Sequence, residues 1–338
     1  MDRKKIMHAK QVNLKEAETA LIIAPYNTAD FILSTPAIAA LKQAMAPKSR
    51  LTAVVSKRAL GLAKKACCID RVVPMRGPVA ILTALMTAAG SYDVLVNFEP
   101  NHNSSMLISL MARSRVKVAY ALKNEKKLHN ALHNLQLRTL ETPEHKTIEY
   151  LNLVRFIGAN SYDFEHKIRI SEEDKSYAGE FMKKNEITGS DVIIGIHPVL
   201  KDEKKRWAIN KFHQLIRSLV EKFNAKIIVY YHEDEKDRLE EFMHVIRNKA
   251  LLADTTDYGK LMAMATYFSC FVCNETDFMH LLAPFTNLVV IWGGTDPDNN
   301  KPSGNRHEII RPMDGNADSV PVSNVMDAVK KFIEQQGL

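Results

Sequence analysis

Strand-length apolar runs alternate with amphipathic helical stretches along nearly the whole chain, and this alternation restricts the fold more than any other feature. Residues 21–25 read as a first strand. Thr35 follows as a helix cap with Pro36 at the first helical position, and Ile38, Leu41 and Met45 share one face. Further strands are expected at 51–55, 71–74, 93–98 and 116–120, with helices between them. A charged, weakly apolar stretch at 171–190 interrupts the pattern, which then restarts. Strands are predicted at 191–197, 226–231, 271–273 and 288–292. Helices are predicted at 210–223 and 258–268, with Ser323 capping a last one. Such a chain implies an α/β fold: two Rossmann-like domains, each a doubly wound parallel sheet, with a central cleft. The expected division is 1–170 and 171–322, followed by a terminal helix, 323–336.

A length of 338 residues suits two cores better than one. No apolar run approaches the roughly 20 residues that span a bilayer. Residues 1–18 are polar and lack the apolar centre of a secretory signal, so a cytoplasmic protein is expected. Cys270 and Cys273 have the gap of a metal knuckle, but no second pair completes four ligands, and buried thiols are the expected state. Charge is uneven. Residues 1–170 hold 25 Lys and Arg against 13 Asp and Glu, a balance of +12, while the remainder carries −5. The basic half points to a polyanionic partner, with Lys57, Arg58, Lys64, Arg113, Arg115 and Lys123 as candidate contacts. No zinc-finger or RNA-recognition motif singles out nucleic acid.

In doubly wound sheets, ligands bind beyond the carboxyl ends of strands. Four such loops have unusual polar content. Tyr26-Asn27-Thr28-Ala29-Asp30 offers a carboxylate that can accept a proton, or one that merely caps a helix. It holds no glycine, so the dinucleotide fingerprint of a dehydrogenase is absent. Gly195-Ile196-His197-Pro198 leads to Lys204-Lys205-Arg206-Trp207, cations suited to a diphosphate leaving group, with an aromatic to hold them in place. Asn274-Glu275-Thr276-Asp277 precedes a helix carrying His280. Gly293-Gly294-Thr295-Asp296-Pro297 is a turn permitting close backbone approach.

In this order the loops resemble those of the ADP-heptose:lipopolysaccharide heptosyltransferases, glycosyltransferase family nine. Asp30 before Thr35-Pro36-Ala37, Gly195 to Pro198, Lys205-Arg206-Trp207, then Asn274 with Met279-His280-Leu281, and Gly293 with Thr295-Asp296-Pro297 carry the likeness. A weaker match is His145 with Glu149, Tyr150 and Leu151. The resemblance implies the GT-B fold, an acceptor domain first and a sugar-nucleotide domain second, with the terminal helix, 323–336, packing back on the first domain. It implies inversion at the anomeric carbon, with Asp30 as base and Lys205 facing the departing ADP. Arg206, Glu233, Thr256, Glu275, Thr276, Asp277 and His280 would complete the donor site. Glu233 would meet the nucleoside, Thr256 the adenine, Glu275 the sugar hydroxyls and Thr276 a phosphate. The expected partners are an ADP-sugar and the anionic inner core of lipopolysaccharide or a similar glycolipid. Neither nucleic acid nor any cofactor or metal is expected, and peripheral contact with the inner face of the inner membrane is. The chain departs from the family pattern at Ala29, Val199, Ala208, Asp277 and Gly294. A carboxylate beside a diphosphate costs on the order of 1–4 kcal/mol. A second reading therefore stays open: a catalytically impaired relative that binds glycolipid or a partner protein.

Overall fold

A computed structural model describes residues 12–75, 77–122, 130–138, 144–200, 202–246, 249–294, 296–304 and 306–335. Lys123 and Thr295 lie outside the described residues. The chain divides into two compact units, Met1–Arg169 and Ile170–Leu338. No described helix is long and apolar enough to cross a membrane.

The first unit contains β1 (Thr19–Ile23), α1 (Thr28–Ala44), β2 (Arg50–Ser56), α2 (Leu60–Lys65), β3 (Arg71–Met75), α3 (Gly77–Ala88), β4 (Ser91–Asn97), α4 (Asn103–Met111), β5 (Arg113–Tyr120), β6 (Leu135–Leu137) and α5 (Lys146–Arg155). The second contains α6 (Glu172–Lys184), β7 (Ile193–His197), α7 (Ile209–Phe223), β8 (Lys226–Val229), α8 (Lys236–Ile246), β9 (Leu251–Leu252), α9 (Tyr258–Ala265), β10 (Cys270–Asn274), α10 (Asp277–Leu282), β11 (Leu288–Ile291), α11 (Pro297–Asn300), β12 (His307–Ile310) and α12 (Val322–Gln335). The sheet orders are β3-β2-β1-β4-β5-β6 and β12-β11-β10-β7-β8-β9, with parallel pairing throughout. Counted from each unit's own start, both follow 3-2-1-4-5-6. The order reverses beside β1 and β4 in one unit and beside β7 and β10 in the other, where such sheets bind ligands. Central strands are buried on both faces, which is why β1 and β10 read as continuous apolar runs rather than alternating ones.

Two expectations are corrected. The first helix starts at Thr28, capped by Asn27, so Pro36 lies inside it rather than at its head, and Thr35 is no cap. A mid-helix proline leaves the carbonyl four residues back without its donor. Here that carbonyl belongs to Ile32, and the Thr35 hydroxyl donates to it at 2.7 Å, which lets the helix continue. The last helix begins at Val322, so Ser323 lies inside it and is no cap. Its apolar face of Val325, Met326, Val329, Phe332 and Ile333 packs with α7, β10, β11 and β12.

Candidate functional site

In the second unit the site residues converge where the strand order reverses. Gly195 in β7 is obligatory: a Cβ there would lie 2.3 Å from the Phe268 ring. The strand therefore packs tightly and delivers His197, fully buried, at its carboxyl end. The chain then passes through a short 3-10 turn, Glu203–Lys205, to Trp207. Trp207 is buried and held at both ends. Its backbone N–H donates to Asn274 Oδ1 at 2.8 Å and its indole N–H to the Val320 carbonyl at 2.8 Å. Anchored in this way, it fixes the two residues before it. Lys205 Nζ donates to Glu275 Oε1 at 2.7 Å; the lysine side chain is 27% exposed and the carboxylate 6%. Lys205 is thus paired yet reachable. Arg206 is partly buried, with Nη2 3.4 Å from Glu203.

Asp277 opens α10, and its carboxylate turns to His232, with Oδ1 2.9 Å from Nε2. His232 follows β8 and stacks on Phe278 with ring centroids 4.4 Å apart. Burial opposes protonation of His232, but the Asp277 carboxylate outweighs it and raises the imidazole above its ordinary value. Burial would likewise raise Asp277; the hydrogen bond and charge of His232 instead hold it below the usual carboxylate range. A second pair lies alongside: His197 Nε2 is 2.9 Å from Glu235 Oε2, which also accepts from the His232 backbone N–H at 2.8 Å. Glu235 is lowered by His197 against the opposing effect of its burial. His197, His232 and Glu235 bring potential metal-ligand atoms within 4.8 Å of one another, a set of a kind that zinc accepts. Glu235 Oε2, however, is already engaged by two hydrogen-bond partners, and the cluster reads as a hydrogen-bond network.

Thr256 and Glu233 meet at the end of β8, Oγ1 to Oε2 at 3.4 Å, on an open surface. Thr276 caps α10 without a side-chain cap bond. His280 is 3% exposed, inside the packed face of α10 near Asp277, so any influence on a ligand passes through its neighbours.

The first unit has its own cluster beyond β1 and β4. The Asp30 backbone N–H donates to Asn27 Oδ1 at 2.6 Å, and Asn27 Nδ2 donates to Asp30 Oδ2 at 2.5 Å. Asp30 thus combines the two readings of its loop: it belongs to a capping arrangement and remains partly exposed. The Tyr150 hydroxyl hydrogen-bonds Asp30; burial, with the charges of Asp30 and Glu99, raises that phenol well above its ordinary value. Glu99, in the loop after β4, receives the Tyr26 N–H at 3.4 Å. Burial and then the Asp30 charge push its carboxyl up. A partly exposed carboxylate beside a phenol and a second carboxylate suits proton transfer.

The basic candidates separate. Lys57 and Arg58 are exposed just past the carboxyl end of β2, on the same edge of the sheet as Asp30. Arg113 and Arg115 open β5 at the opposite, amino edge, and Lys64 lies in the last turn of α2. A parallel sheet puts strand starts and strand ends on opposite rims, so Arg113 and Arg115 do not share a rim with Asp30. Sequence reading missed Glu99, His232 and Glu235. Glu99 follows β4, which borders a switch point, and His232 and Glu235 follow β8, one strand removed from the other; these positions and the capping-box spacing of His232-x-x-Glu235 are the signals that pointed to them.

The sequence signature described as glycosyltransferase family 9 (heptosyltransferase) matches residues 85–329. No curated protein sequence is significantly similar to the chain. Solved structures are. A family 9 glycosyltransferase from Veillonella parvula is 17% identical, with a TM-score of 0.84 over 96% of this chain and 99% of that one. The E. coli ADP-heptose lps heptosyltransferase II is 16% identical, with a TM-score of 0.77 over 95% and 100%. E. coli heptosyltransferase WaaC with ADP is 16% identical, with a TM-score of 0.69 over 94% and 98%. At these identities the likeness establishes the fold, two Rossmann-like units of the GT-B type. Because the signature covers well over half the chain, this protein belongs to glycosyltransferase family 9, the heptosyltransferase family.

Proposed function

We propose that this protein is an inverting glycosyltransferase that moves a heptose or related sugar from an ADP-sugar to the lipopolysaccharide core or a similar anionic glycan. The observation that carries the reading is the Lys205–Glu275 pair, fixed by the twice-anchored Trp207 at the switch point of the second sheet. A partly exposed ammonium held there is placed for a diphosphate, and the buried carboxylate beside it for sugar hydroxyls. The similar WaaC structure contains ADP, and ADP is the nucleotide proposed here.

In the proposed reaction the acceptor oxygen attacks the anomeric carbon as the bond from that carbon to the diphosphate oxygen breaks. Asp30 takes the acceptor's hydroxyl proton, Tyr150 and Asn27 hold its carboxylate in place, and Lys205 with Arg206 stabilises the charge on departing ADP. Thr276 contacts phosphate, while Glu233 and Thr256 contact the nucleoside. Lys57 and Arg58 meet acceptor anions. The reaction needs no metal or cofactor in this reading, so excess chelator leaves the rate unchanged. The setting is the cytoplasmic face of the inner membrane.

The test is calorimetric titration with ADP beside a transfer assay using ADP-heptose. Asp30→Asn is expected to lower transfer by about 10²-fold or more while ADP affinity persists. An unchanged turnover in that variant removes Asp30 as the base. Absence of nucleotide binding at millimolar ADP overturns the enzyme reading in favour of a non-catalytic relative, the alternative that Asp277 favours.

A further inference from the structure

Helices α3 and α4 pack side by side on one face of the first sheet and carry no charged residue between them. A surface helix ordinarily turns its large apolar side chains inward and its polar ones outward. These two are inverted. On its inner face α4 buries Ser105 and Ser109 beside Ile108, and leaves Leu107, Leu110 and Met111 exposed. Likewise α3 buries Ala84, Thr87 and Ala88 and exposes Leu82 and Met86. The exposures are 58% for Leu82, 70% for Met86 and 60% for Leu110, so these side chains stand clear of the surface. Elsewhere among the described residues exposed large apolar side chains, such as Tyr267 and Met313, are scattered. Single ones need no explanation; five on two neighbouring helices do.

Cations border the patch. Arg113 comes two residues after the end of α4, Arg115 follows it, and both are exposed. Arg71 lies near Tyr92, whose hydroxyl bonds the Thr87 carbonyl at the end of α3. Two acids stand at the same rim: exposed Glu18, and Asp93, which accepts from Thr19 and the Glu18 N–H and lies within reach of Arg115. An apolar surface rimmed by arginines at one end matches the interface of an anionic bilayer, where acyl chains lie beneath negative headgroups.

We infer that the outer face of α3 and α4 docks the protein on an anionic membrane, with Leu82, Met86, Leu107, Leu110 and Met111 in the interfacial layer and Arg113 and Arg115 at the headgroups. The inference stands on these helices and not on the proposed transfer reaction. The full chain is to be floated with vesicles of phosphatidylcholine alone and with 30% phosphatidylglycerol (about a third anionic lipid). Binding is expected to the anionic vesicles only, to weaken with salt, and to fall about tenfold or more in Met86→Glu/Leu110→Glu. Removal of each arginine, as Arg113→Ser or Arg115→Ser, is expected to cost about fivefold. Both glutamates are placed on an exposed face, and unchanged ADP affinity and melting temperature verify the fold of the variants. Failure of the wild type to float, or flotation undiminished by the glutamates, overturns the inference. So does a solution dimer that the glutamates dissociate, which assigns the face to a second copy. Loss of ADP binding with flotation intact would count against the transfer reading alone.

Discussion

Asp277 places a carboxylate where the family pattern has glycine, and its consequence depends on His232. While His232 is protonated the pair is neutral overall, and a diphosphate arriving nearby meets no net anion. His232 is raised above its ordinary 6.5, so its contribution to folding is complete below that value and is lost as pH climbs through the raised one. Asp277 and Glu235 are depressed, and their contributions are present above the ordinary carboxylate range and are lost as pH falls through their lowered values. The network is therefore most stabilising between those limits. Above the His232 value the imidazole is neutral while Asp277 stays charged. ADP affinity is then expected to fall on the order of threefold to tenfold, by the size of one added charge at that range. Titrations at several pH values across this interval check it; Asp277→Gly is expected to bind ADP more tightly and to flatten the profile. Lys205→Ala tests the adjoining contact. Removing a charge-assisted bond is expected to weaken ADP by about 10- to 100-fold. An unchanged affinity in that variant moves the phosphate contact to Arg206.

At the scale of elements, Gly195 shows how a motif residue is fixed by packing. Gly195→Ala would drive a methyl into Phe268 and Phe271, both buried, and neither ring has room to retreat. A loss of about 1–3 kcal/mol is expected on chemical denaturation. A stability change under a few tenths of a kcal/mol would show that β7 tolerates a side chain there. The buried central strands were legible because their apolar runs are long: β1, β2, β4, β5, β7 and β11 lie where the runs fall. Strands β6, β9 and β12 were not. Strands β6 and β9 have three and two residues, too few for a period to register, and β12, as long as β11, opens on His307 and Glu308 and is only half-buried, so it forms no apolar run. The head of α1 was misplaced because Thr35-Pro36 is a proper helix start in isolation. Only the neighbouring turn shows that Thr35 instead relieves the carbonyl Pro36 leaves open. In the site, Asp30 and the Lys205 cluster stood out by loop position. The His232–Asp277 and Asp30–Glu99–Tyr150 groupings did not, since each joins residues far apart in sequence, and no local pattern encodes a contact between strands.

For the whole molecule, the two units repeat one strand order, and each has its own buried core. The chain's charge follows the same division, with the cation excess in the first. Separate cores make separate cooperative transitions the expectation on heating, and a ligand raises the transition only of the unit that holds it. All the proposed ADP contacts, from Lys205 to Asp277, lie within residues 193–294, inside the second unit. At ADP concentrations a hundredfold above its dissociation constant, that unit gains about 2.7 kcal/mol, while the first gains none. Scanning calorimetry with and without ADP measures this, and limited proteolysis during the scan identifies which unit opens first. An equal upward shift of both transitions would mean that the nucleotide draws contacts from both units. Movement of the first transition alone would place the nucleotide on the basic unit, where Asp30 and Glu99 stand, and reverse the assignment of donor and acceptor.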